Sequence, residues 1–427
     1  MLSQGPWSLY WLRSYTVNKA IAHKKTAWVT DWSAAGQVTI YDDALTNDYI
    51  RANGHGENWS LNLFANLQEM DWKNIYGVAN PGITPGKPAG YINSGADIKG
   101  RTFGGDFQYQ LKFANPLVPD FLFGATAMHE AVDNTDYSDG AVSKYDRDSI
   151  GIFARATETI YKVRDYSLTA NLALRESYYD RGNIYAFTPQ LQLLQTFPRR
   201  LSAYANIGRS FSVSNLRTLY VSGPLTSANP DLDPDTGWTY EVGVKWEGGS
   251  TLASLDVFYM DFDHLLSWKS RGSGAEKEFY ADNSPFRNPG IEFSVAQKIP
   301  GGLTIEGSAV YNEPEQWNLT AKKWLPVIGK VQASLRARWA WDRYSASFNV
   351  AYLGHRKNPN GAGSLIYAPR EMVPATLKAG IALNHGCAIN LTVDNLFNRR
   401  DIVNHPTSAS RYFATPRTAR ITYELTF

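Results

Sequence analysis

Cysteine is almost absent: Cys387 stands alone in 427 residues. A single thiol excludes an internal disulfide framework and any zinc site built on cysteines, and the residue reads as a small apolar strand position. Long hydrophobic runs are missing as well. The most apolar stretch, LVPDFLFGATAM, is short and carries Asp120, so no window supplies the roughly 18 apolar residues of a membrane-crossing helix. Charged residues make up only 19 %, the net charge is +2, and no basic block stands out. That balance excludes the electrostatic footprint of a nucleic-acid binder. The opening MLSQGPWSLYWLRSYTVNKA has no basic segment leading into an apolar core and a small-residue cleavage site, so no secretion signal is read there.

What the chain has in quantity is aromatic surface, with 25 Tyr and 13 Trp, and a period of two. In VQASLRARWAWDRYSASFNVAY, residues 331–352, Val331, Ala333, Leu335, Ala337, Trp339 and Trp341 fall on one face. Gln332, Ser334, Arg336 and Arg338 fall on the other, the alternation of a strand with two unlike sides. Asp342-Arg343 reverses the chain, and Tyr344, Ala346, Phe348, Val350 and Tyr352 resume the greasy face. The same alternation runs through Phe103 to Phe113, Leu168 to Leu174, Tyr240 to Trp246 and Ile389 to Val393. From residue 101 onward it predicts about 15 strands of roughly 10 to 14 residues, longer than the usual soluble strand and suited to a tilted membrane crossing.

Loop lengths sort by side. Short turns are read at FPRR (197–200), EGGS (247–250), PGG (300–302), DR (342–343) and NHG (384–386), and long loops at 214–236, 355–373 and 396–415. Short on one side and long on the other is the habit of outer-membrane barrels. Phe113, Tyr161, Phe197, Trp246 and Trp341 stand beside short turns, where an interfacial girdle would lie. A soluble all-β protein would bury these greasy faces in a core and has no reason to sort its loops. In the first 100 residues ENWSLNLFANLQ, GQVTIYDD and KTAWVTDW read as strands and WSLYWLRSY as a plausible one. With three or four strands there, the total is about 18 to 19.

Specific motifs then follow. SANPDLDPDTGWTYEVGVKW (227–246), with Asn229, Pro230, Leu232 and Pro234, resembles a stretch that leads into a barrel strand in TonB-dependent receptors. YANIGRSFSVSNLRTLY (204–220) is similar to the strand and loop before it, with Ser214-Asn215 in place of the family's Pro-Thr. VDNLFNRRD (393–401), with Asn395, Leu396 and Phe397, resembles a later box, and Tyr412 to Phe427 resembles the closing strand. The likeness is strong over 101–427 and weak over 1–100. It implies an outer-membrane barrel of about 22 strands with a plugged lumen, for uptake of a ferric siderophore or a similar ligand powered through TonB. Neither plug nor TonB-contacting segment is legible here, so the expectation is the C-terminal part of a longer receptor, with TonB engaged only through a region ahead of Met1. N-terminal barrel strands are assigned to 1–100 and the C-terminal part of the barrel to 101–427. The alternative expectation is a passive pore or a non-functional truncated fragment.

Other chemistry is thin. DNTDYSDG (133–140) lacks the closing Glu of a calcium loop and reads as a solvated acidic turn within a long outer loop. NPGITPGKPAG (80–90) places Pro88 where a phosphate loop needs Ser or Thr. The seven histidines show no paired spacing, so no metal and no cofactor is expected, and no nucleophile motif marks an enzyme. Arg336 and Arg338, with Arg155 and Arg175 on earlier strands, should point inward, either drawing an anionic chelate or pairing with Glu241 or Asp394 on the wall. Tyr220 and Tyr367 are the loop candidates for ligand contact. The ending ITYELTF alternates Ile421, Tyr423, Leu425 and Phe427, and by the resemblance it is the strand that the barrel assembly machinery reads, with its apolar face towards outer-membrane lipid.

Overall fold

The structure is a computed structural model that describes residues 2–23, 38–76, 92–115, 118–137, 139–222, 226–272, 278–319, 321–327, 329–359, 365–367, 371–383, 386–407 and 410–425. Twenty-two strands form one sheet. Three of them are short loop strands, and the remaining nineteen follow one another as antiparallel neighbours. The first are β1 (Leu2–Gln4), β2 (Trp7–His23), β3 (Val38–His55), β4 (Trp59–Tyr76) and β5 (Ile92–Leu111). Next come β6 (Asp120–Asp136), β7 (Val142–Val163), β8 (Tyr166–Tyr179), β9 (Ile184–Phe197) and β10 (Leu201–Ser212). β11 (Asp235–Gly248), β12 (Thr251–Arg271), β13 (Glu278–Ile299), β14 (Leu303–Asn312) and β15 (Val331–Trp341) continue the series. β16 (Tyr344–Gly354), β17 (Ala375–Ala382), β18 (Cys387–Asp394) and β19 (Thr418–Leu425) complete it.

The strand count agrees with the alternation read from the sequence, and WSLYWLRSY lies in β2. Strand length differs. β7 and β13 each run 22 residues, well past the roughly 10 that cross a bilayer. The excess lies on the long-loop side, where hairpins continue as sheet beyond the membrane. There DNTDYSDG is no long loop: Asp133 and Asp136 lie in β6, and the turn closes through Asp136 N–H to Ala141 O at 2.9 Å. KTAWVTDW, His385 and the 80–90 segment lie outside the described residues.

The protein is apolar on its outside. Leu63, Leu67 and the outward-facing apolar residues of Phe103 to Leu111, Tyr240 to Trp246 and Leu335 to Trp341 are exposed, while among the described residues the buried side chains that pack together are Leu219, Leu232 and Ala281. Water would not tolerate a continuous apolar belt of that size; hydrocarbon does, and long antiparallel ladders between neighbouring strands satisfy the backbone as lipid requires. Aromatics mark both rims. Phe113, Tyr161, Trp246 and Trp341 are exposed beside the short turns, and Phe197 packs edge-on against Tyr166 at 6.3 Å. On the other rim Trp238, Tyr240 and Tyr259 stack in series, each 6.4 Å from the next.

Turn chemistry fixes the short side. Asp342 takes φ of 52° between β15 and β16. Gly302 has φ of 81°, and a Cβ there would stand 1.9 Å from the Ala340 carbonyl oxygen, so the β13–β14 turn requires glycine. Among the described residues no pairing joins β19 to β1 or β2, so the sheet ends in two edges.

Candidate functional site at the loop-side mouth

The loop 213–234 between β10 and β11 does not splay into solvent. Asn215 caps a helix, α1 (Leu216–Tyr220), its side-chain oxygen accepting from Thr218 N–H at 2.9 Å. The asparagine thus does the capping that a threonine would do. Leu219 then packs with Leu232 and Ala281, flanked by Tyr220 and Leu266. Asn229 donates from Nδ2 to the Ala281 carbonyl at 3.0 Å, and its Oδ1 accepts from Asp231 N–H at 3.2 Å. Asn283 receives Asp233 N–H at 2.8 Å and returns a bond to Asp233 O at 2.9 Å. Pro230 sits exposed at the turn and Pro234 leads into β11. The stretch from Asn229 to Pro234 therefore pins the loop onto β13.

The other end of the loop is held by β7. Arg147, 4 % exposed, donates to Ser214 O at 3.0 Å and to Glu130 Oε2 at 2.5 and 3.0 Å. Tyr220 stacks on Tyr145 with centroids 4.9 Å apart, and the Arg181 guanidinium lies 5.2 Å from one ring and 5.7 Å from the other. Two ring faces and a fixed cation thus meet where the loop crosses from β7 towards β13. Burial pushes the Asp235 carboxyl up, partly countered by the Leu266 N–H it accepts at 2.7 Å. At the nearby β6–β7 hairpin, burial and its bond to Asp71 push the Tyr137 hydroxyl up to about 12.

Arg336 and Arg338 share the inner wall of β15, but their partner is neither Glu241 nor Asp394. Glu306 of β14 stands 3.6 Å from Arg336 and forms a closer pair with Arg338, and Arg336 Nε also donates to Asn349 Oδ1 at 2.7 Å. Register decides this: Glu306 is directly opposite Arg336, whereas Glu241 takes the Tyr204 hydroxyl at 2.9 Å and Asp394 the Thr376 hydroxyl at 3.0 Å. Arg175 donates to Thr126 Oγ1 at 2.7 Å.

The later motif is a second pin. Asn395, at φ of 49°, donates to Arg399 O at 2.9 Å and Thr415 O at 2.8 Å, and accepts Arg399 N–H at 2.9 Å. Leu396 N–H reaches Ala375 O at 2.9 Å, while Phe397 is exposed. Tyr367 lies in a small hairpin, Leu365–Tyr367 on Lys357–Pro359, and its side chain is outside the described residues. Ile421, Tyr423 and Leu425 are exposed on the terminal strand, Tyr423 donating to Cys387 Sγ at 3.1 Å, and Phe427 is outside the described residues. Among the described residues no group of His, Cys, Asp and Glu is placed to hold a metal. Sequence reasoning missed Tyr145, Arg147 and Arg181. The period of two marks Tyr145 and Arg147 as sharing a face, but nothing local couples Arg147 to Ser214, 67 positions away.

Comparison with known proteins agrees with this geometry. The family model "TonB dependent receptor-like, beta-barrel" matches residues 5–396. No curated protein matches. Among solved structures, the ferric enterobactin receptor PfeA of Pseudomonas aeruginosa is similar with a TM-score of 0.68 at 16 % identity, over 93 % of this chain and 62 % of that one. The ferric-catecholate import receptor Fiu of E. coli K12 gives 0.67 at 16 %, over 90 % and 64 %. The copper transporter OprC gives 0.70 at 12 %, over 99 % and 72 %. This chain thus spans less than two thirds of the first two. The matched model covers most of the chain, and the chain belongs to the TonB-dependent receptor β-barrel family, whose members are outer-membrane transporters and not enzymes.

Proposed function

We propose that this chain is the barrel of an active outer-membrane importer that takes up a ferric siderophore or a similar large, scarce chelate. Energy would come from TonB. The observation that carries the reading is the inward-folded loop 213–234, which sets Tyr220 against Tyr145 beneath Arg181 at the mouth. Aromatic faces beside a fixed cation suit an anionic, ring-bearing chelate. The similar solved structures include a ferric enterobactin receptor and a copper transporter, so the test covers chelates of both metals. Cells expressing the protein from its own locus should accumulate one labelled chelate from a panel of ferric catecholates, ferric hydroxamates and copper complexes, and should do so only with TonB present. Accumulation that is indifferent to TonB would overturn the importer reading.

The second reading, a passive pore, draws on the edges at β1–β2 and at β19, which pair with no further strand among the described residues. Such edges in lipid cost several kcal/mol per unpaired group. A large, steady conductance in planar bilayers, unchanged by ligand, would favour it. We also assign Ile421, Tyr423, Leu425 and Phe427 as the strand read by the barrel assembly machinery. Removing Phe427 should sharply lower the amount in the outer membrane, and unchanged surface levels would refute that role.

A further inference from the structure

Arg147 stands beneath the ring cluster at the mouth without being part of it. It lies two residues from Tyr145 on the same face of β7, so the two side chains leave the strand about 6.6 Å apart. Glu130 of β6 is directly opposite in register and takes the guanidinium at one edge, its Oε2 accepting from Nε at 3.0 Å and from Nη2 at 2.5 Å. That clamp leaves Nη1 turned away from the carboxylate, and Nη1 donates to Ser214 O at 3.0 Å. The Tyr179 ring of β8 lies 5.3 Å from the guanidinium carbon. With only 4 % of Arg147 exposed, the carboxylate, the carbonyl and the ring replace the water that the cation has lost.

Ser214 precedes Asn215, the N-cap of α1, and Tyr220 ends that helix. β7 therefore grips α1 at both ends, through Arg147 at the start and through the Tyr145 ring, 4.9 Å from that of Tyr220, at the finish. The five residues of α1 rise about 7.5 Å, close to the spacing of the two grips along the strand. One grip alone would leave the helix free to pivot. Two fix its line, and with it the face that Tyr220 turns to Tyr145 and Arg181. The grip at the start uses a backbone carbonyl, which any residue at 214 offers, and Ser214 Oγ itself has no hydrogen-bond partner. The far end of the loop is held separately, by Leu232, Asn229 and Asp233 against β13.

We propose that Arg147, clamped by Glu130, is the positioning residue of the mouth site. It acts through Tyr220 rather than by touching a ligand: it sets the line of α1, so that the Tyr220 ring closes on Tyr145 beside Arg181. That these rings receive an anionic chelate rests on the uptake reading above. The placement of the rings by Arg147 does not.

The test uses the full chain purified in neutral maltoside micelles, with heat-modifiable gel mobility showing that each variant is folded. Arg147→Met fills the same space and loses both polar grips. Hydrogen exchange at residues 216–221 should then quicken about tenfold while 229–234 stays as protected as before. Arg147→Lys, which holds one acceptor at a time, should fall between the two. The same chains are titrated with a ferric tris-catecholate complex and followed by quenching of tryptophan fluorescence. Arg147→Met and Tyr220→Leu should each weaken binding several-fold, and the double variant should bind no more weakly than Tyr220→Leu alone, because a residue acting through Tyr220 then has nothing to act on. Unchanged exchange at 216–221 in Arg147→Met, exchange quickened over the whole barrel, or additive losses in the double variant would each overturn the placement. An unaltered chain that binds no tris-catecholate counts against the uptake reading, and exchange then decides for Arg147 by itself.

Discussion

Leu335→Arg separates the membrane-facing reading of the alternation from any buried-core reading. Leu335 is 45 % exposed on the outer face of β15 and pairs with Val350 and Gly307. It stands six residues from Trp341, the girdle residue at the turn end of the same strand. At about 3.3 Å per residue and a tilt near 40°, that places it roughly 15 Å above the girdle, close to the middle of an apolar band about 25 Å tall. An arginine near the midplane costs about 2–4 kcal/mol, or roughly 30- to 700-fold in the folding equilibrium at 1.4 kcal/mol per tenfold. The internal control is the adjacent position. Ser334 faces the lumen and shares a 2.8 Å hydroxyl contact with Ser308, so Ser334→Arg should cost only about the 1 kcal/mol of one hydrogen bond. Both are measured by reversible urea unfolding from lipid vesicles. Equal costs for the two, or a Leu335→Arg cost below about 1 kcal/mol, would refute the assignment of faces.

Leu232→Ala should cost about 2–3 kcal/mol locally, since it empties the contact among Leu219, Leu232 and Ala281. The readout is faster hydrogen exchange and proteolysis confined to 213–234. Glu306→Gln should change stability by less than about 1 kcal/mol, because the cluster is half exposed, yet leave Arg336 and Arg338 uncompensated and shift the reversal potential of any conducting form towards anions. The Ser227 hydroxyl and then the Arg271 guanidinium hold the Glu278 carboxyl below its ordinary 4.5. An acid depressed in this way steadies the folded loop above that value, and its contribution is lost as pH falls through the depressed one. Exchange at Thr226 and Ser227 should therefore quicken on acidification below about pH 4.5 and stay flat near neutrality.

The barrel was legible because each strand repeats one physical statement, apolar towards lipid and polar towards the lumen, and period two is local. Val331 to Trp341 shows it without reference to any other part of the chain. The total strand count followed from the same rule. Register was not legible, and register is what assigns Glu306 rather than Glu241 or Asp394 to Arg336: alternation says which face a residue occupies, not which strand slides beside it. Strand length misled for a related reason. Beyond the bilayer, hairpins such as Asp120–Asp136 with Val142–Val163 keep pairing with polar residues on their outer face, so the hydrophobic signal stops while the strand does not.

The family stretches that carried the resemblance resolve into anchors. Asn229 bonds the Ala281 carbonyl and Leu232 fills the small core beneath it, while Asn395 holds Arg399 and Thr415 from a left-handed backbone position that asparagine tolerates. Each ties the start or end of a long loop to a neighbouring segment of the sheet, a structural task set by the fold. Residues that choose a ligand answer to the ligand instead. In this chain Tyr145, Arg181 and Tyr220 meet through stacking between β7, the β8–β9 turn and α1, a convergence that no motif announces. The recognisable part of the sequence is therefore the part that holds the mouth in shape, and the cluster proposed to meet the ligand is assembled only when three separated segments fold onto one another.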